Sequence, residues 1–403
     1  MLELDCGLEF EAGRDAEFFP ALPARAAVCL IAPRDPNAEA FLIRTADLRR
    51  RLQRLLGPPD AASKRLNLRE FARGVRYRLT GSPFEQTLTY YQHAKELLPK
   101  RYRALLRLRP PAVLKVSLRN AYPRCYVTRR ISTDAAGAPI AGVYYGPFAS
   151  RRAADAFAES ALDFFKVRRC QIKIRRDPAF PGCIYSEMKM CLAPCFAGCT
   201  KEEYDAEVAR LVQFLETNGG SLRAAIEQER GQASEALDFE RAAALHKRLE
   251  KLDGVLRGRP ELARRVQDLD AVILQRAAEE QTVGAYPVRE GRLGEPFFLR
   301  FGEMASEPRS AEELLREHLN LPDGTYKSGN SAQSGFSTAA PNASGPSSGM
   351  AEKGDLGEHL ALLARWYYAN PRVGEIFFRE KEWPYRRILR ACARLLAPAV
   401  EEG

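Results

Sequence analysis

The sequence predicts a multidomain α/β protein, and three observations carry that expectation. The chain has 403 residues, 45% of them hydrophobic, which exceeds one domain at about 100–200 residues each. Short apolar runs rich in strand formers alternate with amphipathic helical segments before residue 165 and again after 268, while 201–256 reads as helix throughout. Between the first two stretches lies a basic segment with four cysteines, Cys170, Cys183, Cys191 and Cys195, at spacings C-x12-C-x7-C-x3-C.

The runs AAVCLIA (26–32) and EAFLIRT (39–45), joined by PRDPNA, predict a β-hairpin. Asp47 is the expected N-cap of a following helix whose Leu48, Leu52, Leu55 and Leu56 form one stripe opposite its arginines. A third strand is expected at 75–81 and a second helix at 83–98. AVLKVSL, CYVTRRI and AGVYYGPF then predict a meander, followed by a helix at 150–165. In the helical part, two antiparallel helices should meet at Leu237-Asp238-Phe239, with Asp238 capping the second. Strands are expected in 268–302 and at GEIFF, with helices at 310–319, 358–368 and in WPYRRILRACARLL. Residues 324–357, rich in Gly, Ser, Ala and Asn, predict a disordered insertion. The expected divisions are 1–105, 106–200, 201–258 and 266–397.

The formal charge is +10, and the isoelectric point is near 9.2, which favours a polyanionic partner. The excess is local: residues 97–130 hold ten lysines and arginines and no Asp or Glu. Candidate phosphate contacts are Arg129 and Arg130 here, and Arg168, Arg169, Lys173, Arg175 and Arg176 around the first cysteine. The opening MLELDCGLEFEAGRD is acidic and does not look like a secretory signal. The longest apolar run near it, 26–32, is far short of the ~20 residues a membrane span needs. A cytoplasmic protein with no membrane contact is expected. In a reducing compartment nine cysteines argue for a metal centre at the four clustered ones and against disulfides. Zinc sites usually arrive as close cysteine pairs, whereas four thiolates around iron and sulfide accept uneven spacing. Both readings stay open, with [4Fe–4S] ahead of zinc.

Tyr144-Tyr145-Gly146-Pro147-Phe148, then Cys170, Cys183 and the CLAPC of 191–195, then ASEALDFERAA, occur in an order that resembles the UvrC family of excision-repair nucleases. The resemblance covers most of the chain. It implies a GIY-YIG-like nuclease domain at 1–105, a four-cysteine region holding a [4Fe–4S] cluster, a UVR helical hairpin at 201–258 and an RNase H-like domain at 266–397. It also implies DNA and UvrB as partners, the latter docking through Phe239, Ala242, Leu245 and Leu249; the alternative is an internal bundle whose core these residues and Leu252 complete. The second nuclease site and the terminal DNA-binding motifs of the family are expected to be absent.

Laid on this chain, the family's nuclease residues fall on Cys29 and Phe41 in place of two tyrosines, Arg44 in place of lysine, Arg51 retained, and Tyr91 in place of the metal-binding glutamate. General-base assistance is worth about 10²–10⁴ in rate. Its loss together with the metal predicts weak or absent incision, with Mg²⁺ needed only if the nuclease is active. Glu85 and Glu96 flank Tyr91, but at about 100° per residue they project elsewhere on the helix. Asp268 and Asp270 lack further acids and are expected to be structural. Three functions follow in order: a UvrC-like excision-repair protein that binds DNA and UvrB, an active single-incision DNA endonuclease of the GIY-YIG type, and a non-catalytic iron–sulfur nucleic-acid-binding regulator.

Overall fold

The computed structural model describes residues 2–59, 65–135, 137–302, 309–320 and 356–397. The N-terminal unit runs β1 (Cys6–Glu9), α1 (Asp15–Ala21), β2 (Ala27–Pro33), β3 (Phe41–Thr45), α2 (Leu48–Leu56), β4 (Ala72–Leu79), α3 (Pro83–Leu97) and α4 (Tyr102–Leu105). β2 and β3 form the expected hairpin, with Cys29 opposite Ile43. β4 adds on the other side of β2, and β1 closes the edge, giving the antiparallel order β1-β4-β2-β3. β1 and α1 escape the sequence reading, because the acidic opening offers little periodicity. Asp47 caps α2, its carboxylate accepting the Arg50 N–H at 2.9 Å, and Ser82 caps α3 by accepting the Glu85 N–H at 3.1 Å.

Alternation along the strands sends successive side chains to opposite faces, and both faces are covered. Ala27, Cys29, Ile31 and Ile43 pack against the leucine stripe of α2 and the phenylalanines of α1. Val28 and Leu42 face α3 and join a second core that also includes residues from 262 to 378.

The middle of the chain holds β5 (Ala112–Val116), β6 (Cys125–Thr128), β7 (Val143–Phe148), α5 (Arg151–Leu162), a single turn α6 (Ile184–Glu187), α7 (Lys201–Glu216), α8 (Gly220–Glu235), α9 (Phe239–Arg257) and the short β8 (Arg264–Arg265). The expected meander is corrected: β5 lies between β6 and β7, in the order β6-β5-β7-β8. Sequence adjacency does not say which edge the third strand takes. The expected boundary at 200/201 is no break in packing either. One core joins Leu114 and Tyr145 of the sheet, Phe157 of α5, Tyr204 and Phe214 of α7, Ile226 of α8 and Leu249 of α9.

The C-terminal unit comprises β9 (Ala271–Arg276), β10 (Thr282–Arg289), β11 (Arg292–Leu293), β12 (Phe297–Arg300), α10 (Ala311–Asn320), α11 (Leu356–Tyr367), β13 (Glu375–Phe378) and α12 (Tyr385–Leu396). Its strand pairings are all antiparallel, with β9 between β10 and β13. The expected insertion lies outside the described residues, apart from 356 and 357, which open α11. Nor is this unit separate from residues 2–106: Phe84, Tyr91 and Tyr102 share a core with Leu269, Tyr286, Leu360 and Trp366.

Candidate functional site

The candidate nuclease positions do not meet. Cys29 is fully buried on the α1–α2 side of the sheet, where burial pushes its thiol up to about 12. Phe41 packs into the same core. Arg44 and Tyr91 lie on the α3 side: the exposed Arg44 sits 5.7 Å from the Tyr90 ring and reaches Thr87 Oγ1 at 3.3 Å. Arg51, on α2, lines a cationic cleft with Arg54, Leu55, Arg65 and Leu66, and its Nε is buried without a hydrogen-bond partner.

Tyr91 has a carboxylate partner after all, though from neither flanking glutamate. Its hydroxyl donates to Glu358 Oε2 at 2.7 Å, while Tyr102 donates to Oε1 at 2.8 Å and Arg103 Nε to Oε1 at 2.5 Å. Burial pushes the Glu358 carboxyl up, but these three donors outweigh it and hold it below its ordinary range. A carboxylate saturated in this way is tied to its donors and is not presented to a metal. Glu85 faces elsewhere, accepting Gly81 N–H at 2.8 Å, and is raised chiefly by burial. Asp270 accepts Glu290 N–H at 3.0 Å and lies 3.6 Å from Arg379, in keeping with a structural role.

Cys170, Cys183 and Cys195 each act on Cys191. Burial first, and then the electrostatic influence of Cys170, Cys195 and Cys183, pushes the Cys191 thiol up to about 11, against the Ala193 N–H that donates to its sulfur at 3.3 Å. Cys195 is likewise raised, by burial first, with Cys183 and Cys170 contributing. Among the described residues, no group of three or more His, Cys, Asp or Glu side chains is arranged so that it could hold a metal ion. Cys199 is buried, and burial is the main cause that raises its thiol.

Arg168 must be removed from the phosphate contacts. It is 7% exposed, and its guanidinium donates to the carbonyls of Tyr122 at 2.9 Å, Ile172 at 3.0 Å and Cys170 at 3.3 Å, and lies 3.9 Å from the Cys170 sulfur. Its backbone N–H donates to the Tyr204 hydroxyl, which in turn donates to the Pro123 carbonyl. This arginine ties the first cysteine to the sheet and α7. Arg169 is half-buried and paired with Asp163 at 3.0 Å. Lys173, Arg175, Arg176, Arg129 and Arg130 are exposed.

In the helical hairpin of α8 and α9, Asp238 accepts Arg241 N–H at 3.0 Å, as its capping role requires. The four expected docking residues divide. Phe239 is 68% exposed and Leu237 71%, whereas Leu245 and Leu249 are buried in the intramolecular core with Ala242 packed against it. Leu245 and Leu249 are therefore corrected to core positions, and Leu237 is the tip residue that helical periodicity passes over because it sits in the turn, at φ 57°.

Residues 112–214 match the model of the UvrC/Cho excinuclease middle domain, and residues 221–254 match the UvrB/uvrC motif. Over these residues the chain is similar to the UvrC family. It is 28% identical over 301 residues to the UvrABC system protein C of Carboxydothermus hydrogenoformans, covering 73% of this chain and 47% of that protein. Against the same protein of Nitratidesulfovibrio vulgaris it is 29% identical over 297 residues, 68% of this chain and 41% of the relative. For Methanothermobacter thermautotrophicus the figures are 27% over 244 residues, 57% and 40%. The chain thus spans about half the length of the curated relatives it matches. No solved structure matches it.

Proposed function

We propose that this chain acts in nucleotide excision repair, binding DNA and UvrB, with incision at its N-terminal unit weak or lost. The observation that carries the reading is the pair Leu237 and Phe239, exposed at the tip of the segment that matches the UvrB/uvrC motif. Apolar side chains held out at a turn by a capped, well-packed hairpin are preorganised for a protein groove and cost little entropy to bury there. The reading is tested by the affinity of the chain for UvrB. Leu237→Ala with Phe239→Ala should weaken it at least tenfold while leaving the helix content unchanged, and a double variant that binds as well as the parent would refute it.

The N-terminal unit is read as GIY-YIG-like and the C-terminal unit as RNase H-like. Silent chemistry is supported by what stands at the nuclease positions. The buried Cys29 thiol stays protonated at neutral pH, Phe41 has no hydroxyl, and the Tyr91 phenol is spent on Glu358. Arg44 and Arg51 can attract phosphate, but a guanidinium cannot deprotonate water.

Cys170, Cys183, Cys191 and Cys195 would hold a [4Fe–4S] cluster. The donor set is supported by four thiols in one basic segment, and by the Arg168 guanidinium and the Ala193 N–H, which already face sulfur. The cluster would supply cross-linking of a segment that has little core of its own, and the chain's residues orient it: Arg168 anchors Cys170, and Ser186 Oγ accepts the Cys183 N–H at 3.0 Å. We place the protein in the cytoplasm, where nine thiols, none of them paired, stay reduced. Among the described residues, no helix is long and apolar enough to cross a membrane.

A further inference from the structure

A cleft of about 390 Å³ on the C-terminal unit uses none of the nuclease positions and none of the cysteines. Its walls are Glu312 and Arg316 of α10, then Trp383, and Tyr385, Arg386 and Arg387 in the first turn of α12. The segment Trp383-Pro384-Tyr385-Arg386-Arg387 puts proline at a helix start, where its missing N–H is tolerated, and two arginines in the turn where acids are normally favoured. The resulting charge is one-sided. Glu312 is bonded to Arg316 at 2.7 Å, while Arg386 and Arg387 are exposed and, among the described residues, have no carboxylate partner. Glu382, one residue before Trp383, is exposed and outside the lining. α12 opens without a side-chain cap and with no acid in its first turn, so the positive end of its dipole adds to the guanidinium charge.

Trp383 supplies an independent observation. It is 5% exposed, it lines the cleft, and its Nε1 is buried with no hydrogen-bond partner. Trp366 shows how such a donor is ordinarily satisfied, its Nε1 donating to the Val373 carbonyl at 2.8 Å. A buried donor left unpaired is costly, and water does not reach this one, so its acceptor has to come with a group on which the cleft closes. The donors stand on different elements, α10, the loop before α12 and α12 itself. Tetrahedrally arranged oxygens reach donors spread in this way, whereas the two coplanar oxygens of a carboxylate reach fewer of them. Arg316 is held ready by Glu312 and by the Tyr385 ring, 4.4 Å from its guanidinium carbon, and the Tyr385 hydroxyl accepts from Asn320 at 3.0 Å.

We propose that Trp383, Arg316, Arg386 and Arg387 bind a phosphate group at the start of α12, carried by a nucleic-acid backbone or by a free nucleotide. The site stands apart from the contacts named under the repair reading and does not depend on them.

The test follows the indole N–H signals of the two tryptophans by NMR in the full chain, as sodium phosphate is added and, separately, sodium chloride at matched ionic strength. Trp383→Phe identifies its signal by deleting it. With phosphate the Trp383 signal should move and saturate while the Trp366 signal stays, and chloride should move neither. Arg386→Ala with Arg387→Ala should weaken phosphate about tenfold, since two charge-assisted donors are lost, and a Trp366 signal at its parental position shows that the fold is intact. Adenosine monophosphate and a duplex oligonucleotide then separate the two carriers: whichever moves the Trp383 signal at a lower concentration than inorganic phosphate presents the group that the cleft takes. A Trp383 signal that phosphate leaves in place, a shift matched by chloride, or a titration unaltered in the double-arginine variant overturns the assignment. So does a site that answers to inorganic phosphate but to neither carrier. DNA and UvrB binding elsewhere on the chain would stand in each of these cases.

Discussion

The hydroxyl of Tyr91 donates a 2.7 Å hydrogen bond to the carboxylate of Glu358, which lies 267 positions further along the chain. At the position where the family resemblance calls for a metal-binding carboxylate, α3 presents a phenol, and the carboxylate it meets belongs to α11 and is already shared with Tyr102 and Arg103. The same bond that occupies Tyr91 fastens the N-terminal unit to the C-terminal one through a common core.

Tyr91→Phe should lower the unfolding free energy by about 1–3 kcal/mol, since a buried carboxylate loses one of its donors. Equilibrium denaturation by urea reads this. A variant as stable as the parent would mean that the bond contributes nothing.

Glu358 also makes stability depend on pH. Its folded-state pKa is depressed, so its contribution is fully present above the ordinary carboxylate value and is lost as pH falls through the depressed one. Thermal unfolding followed between neutral pH and about pH 3 should show an acid loss that Glu358→Gln reduces. A parallel decline in both proteins would assign the loss to other carboxylates.

The basic residues should separate into two kinds. Charge reversal at Lys173 and Arg175, which are exposed, should flatten the plot of log K against log salt by about 2, close to one unit per phosphate contact. Arg168→Ala should leave that slope unaltered and instead loosen residues 166–200, read by limited proteolysis, because its guanidinium holds the Tyr122, Cys170 and Ile172 carbonyls.

Purified without oxygen, the protein should carry iron and sulfide, with broad visible absorption from thiolate-to-iron charge transfer. Serine at Cys170, Cys183, Cys191 or Cys195 should bleach it. Stoichiometric zinc in a colourless protein would replace the cluster assignment.

Leu249→Ala, within the hairpin, should cost about 2–5 kcal/mol by opening a cavity in the core and so lower stability in the absence of any partner. The exposed Phe239 should not share that cost.

Local signals were legible in the sequence. The turn between Ala32 and Glu39, the caps Asp47 and Asp238 and the leucine stripe of α2 each depend on a few neighbouring residues, and each stands where the pattern puts it. Relationships over long separations were not. Nothing near Tyr91 points to Glu358, and nothing in the three strands from 112 to 148 says that β5 would take the centre. Arg168 misled because a count of charges treats every arginine as solvated, whereas this one is spent on three carbonyls. Leu237 was passed over because periodicity reads helices, and the exposed apolar residue sits in the turn between two.

Damaged duplex DNA incubated with the chain, UvrB, nucleotide and Mg²⁺ or Mn²⁺ and run on a denaturing gel decides whether the N-terminal unit cuts. The DNA should be bound but not cut, since Cys29 and Phe41 supply no base and Tyr91 no metal-binding carboxylate at the positions the nuclease chemistry needs. Nicking at a defined distance from the lesion, abolished by Arg51→Ala, would contradict it and establish an active single-incision endonuclease.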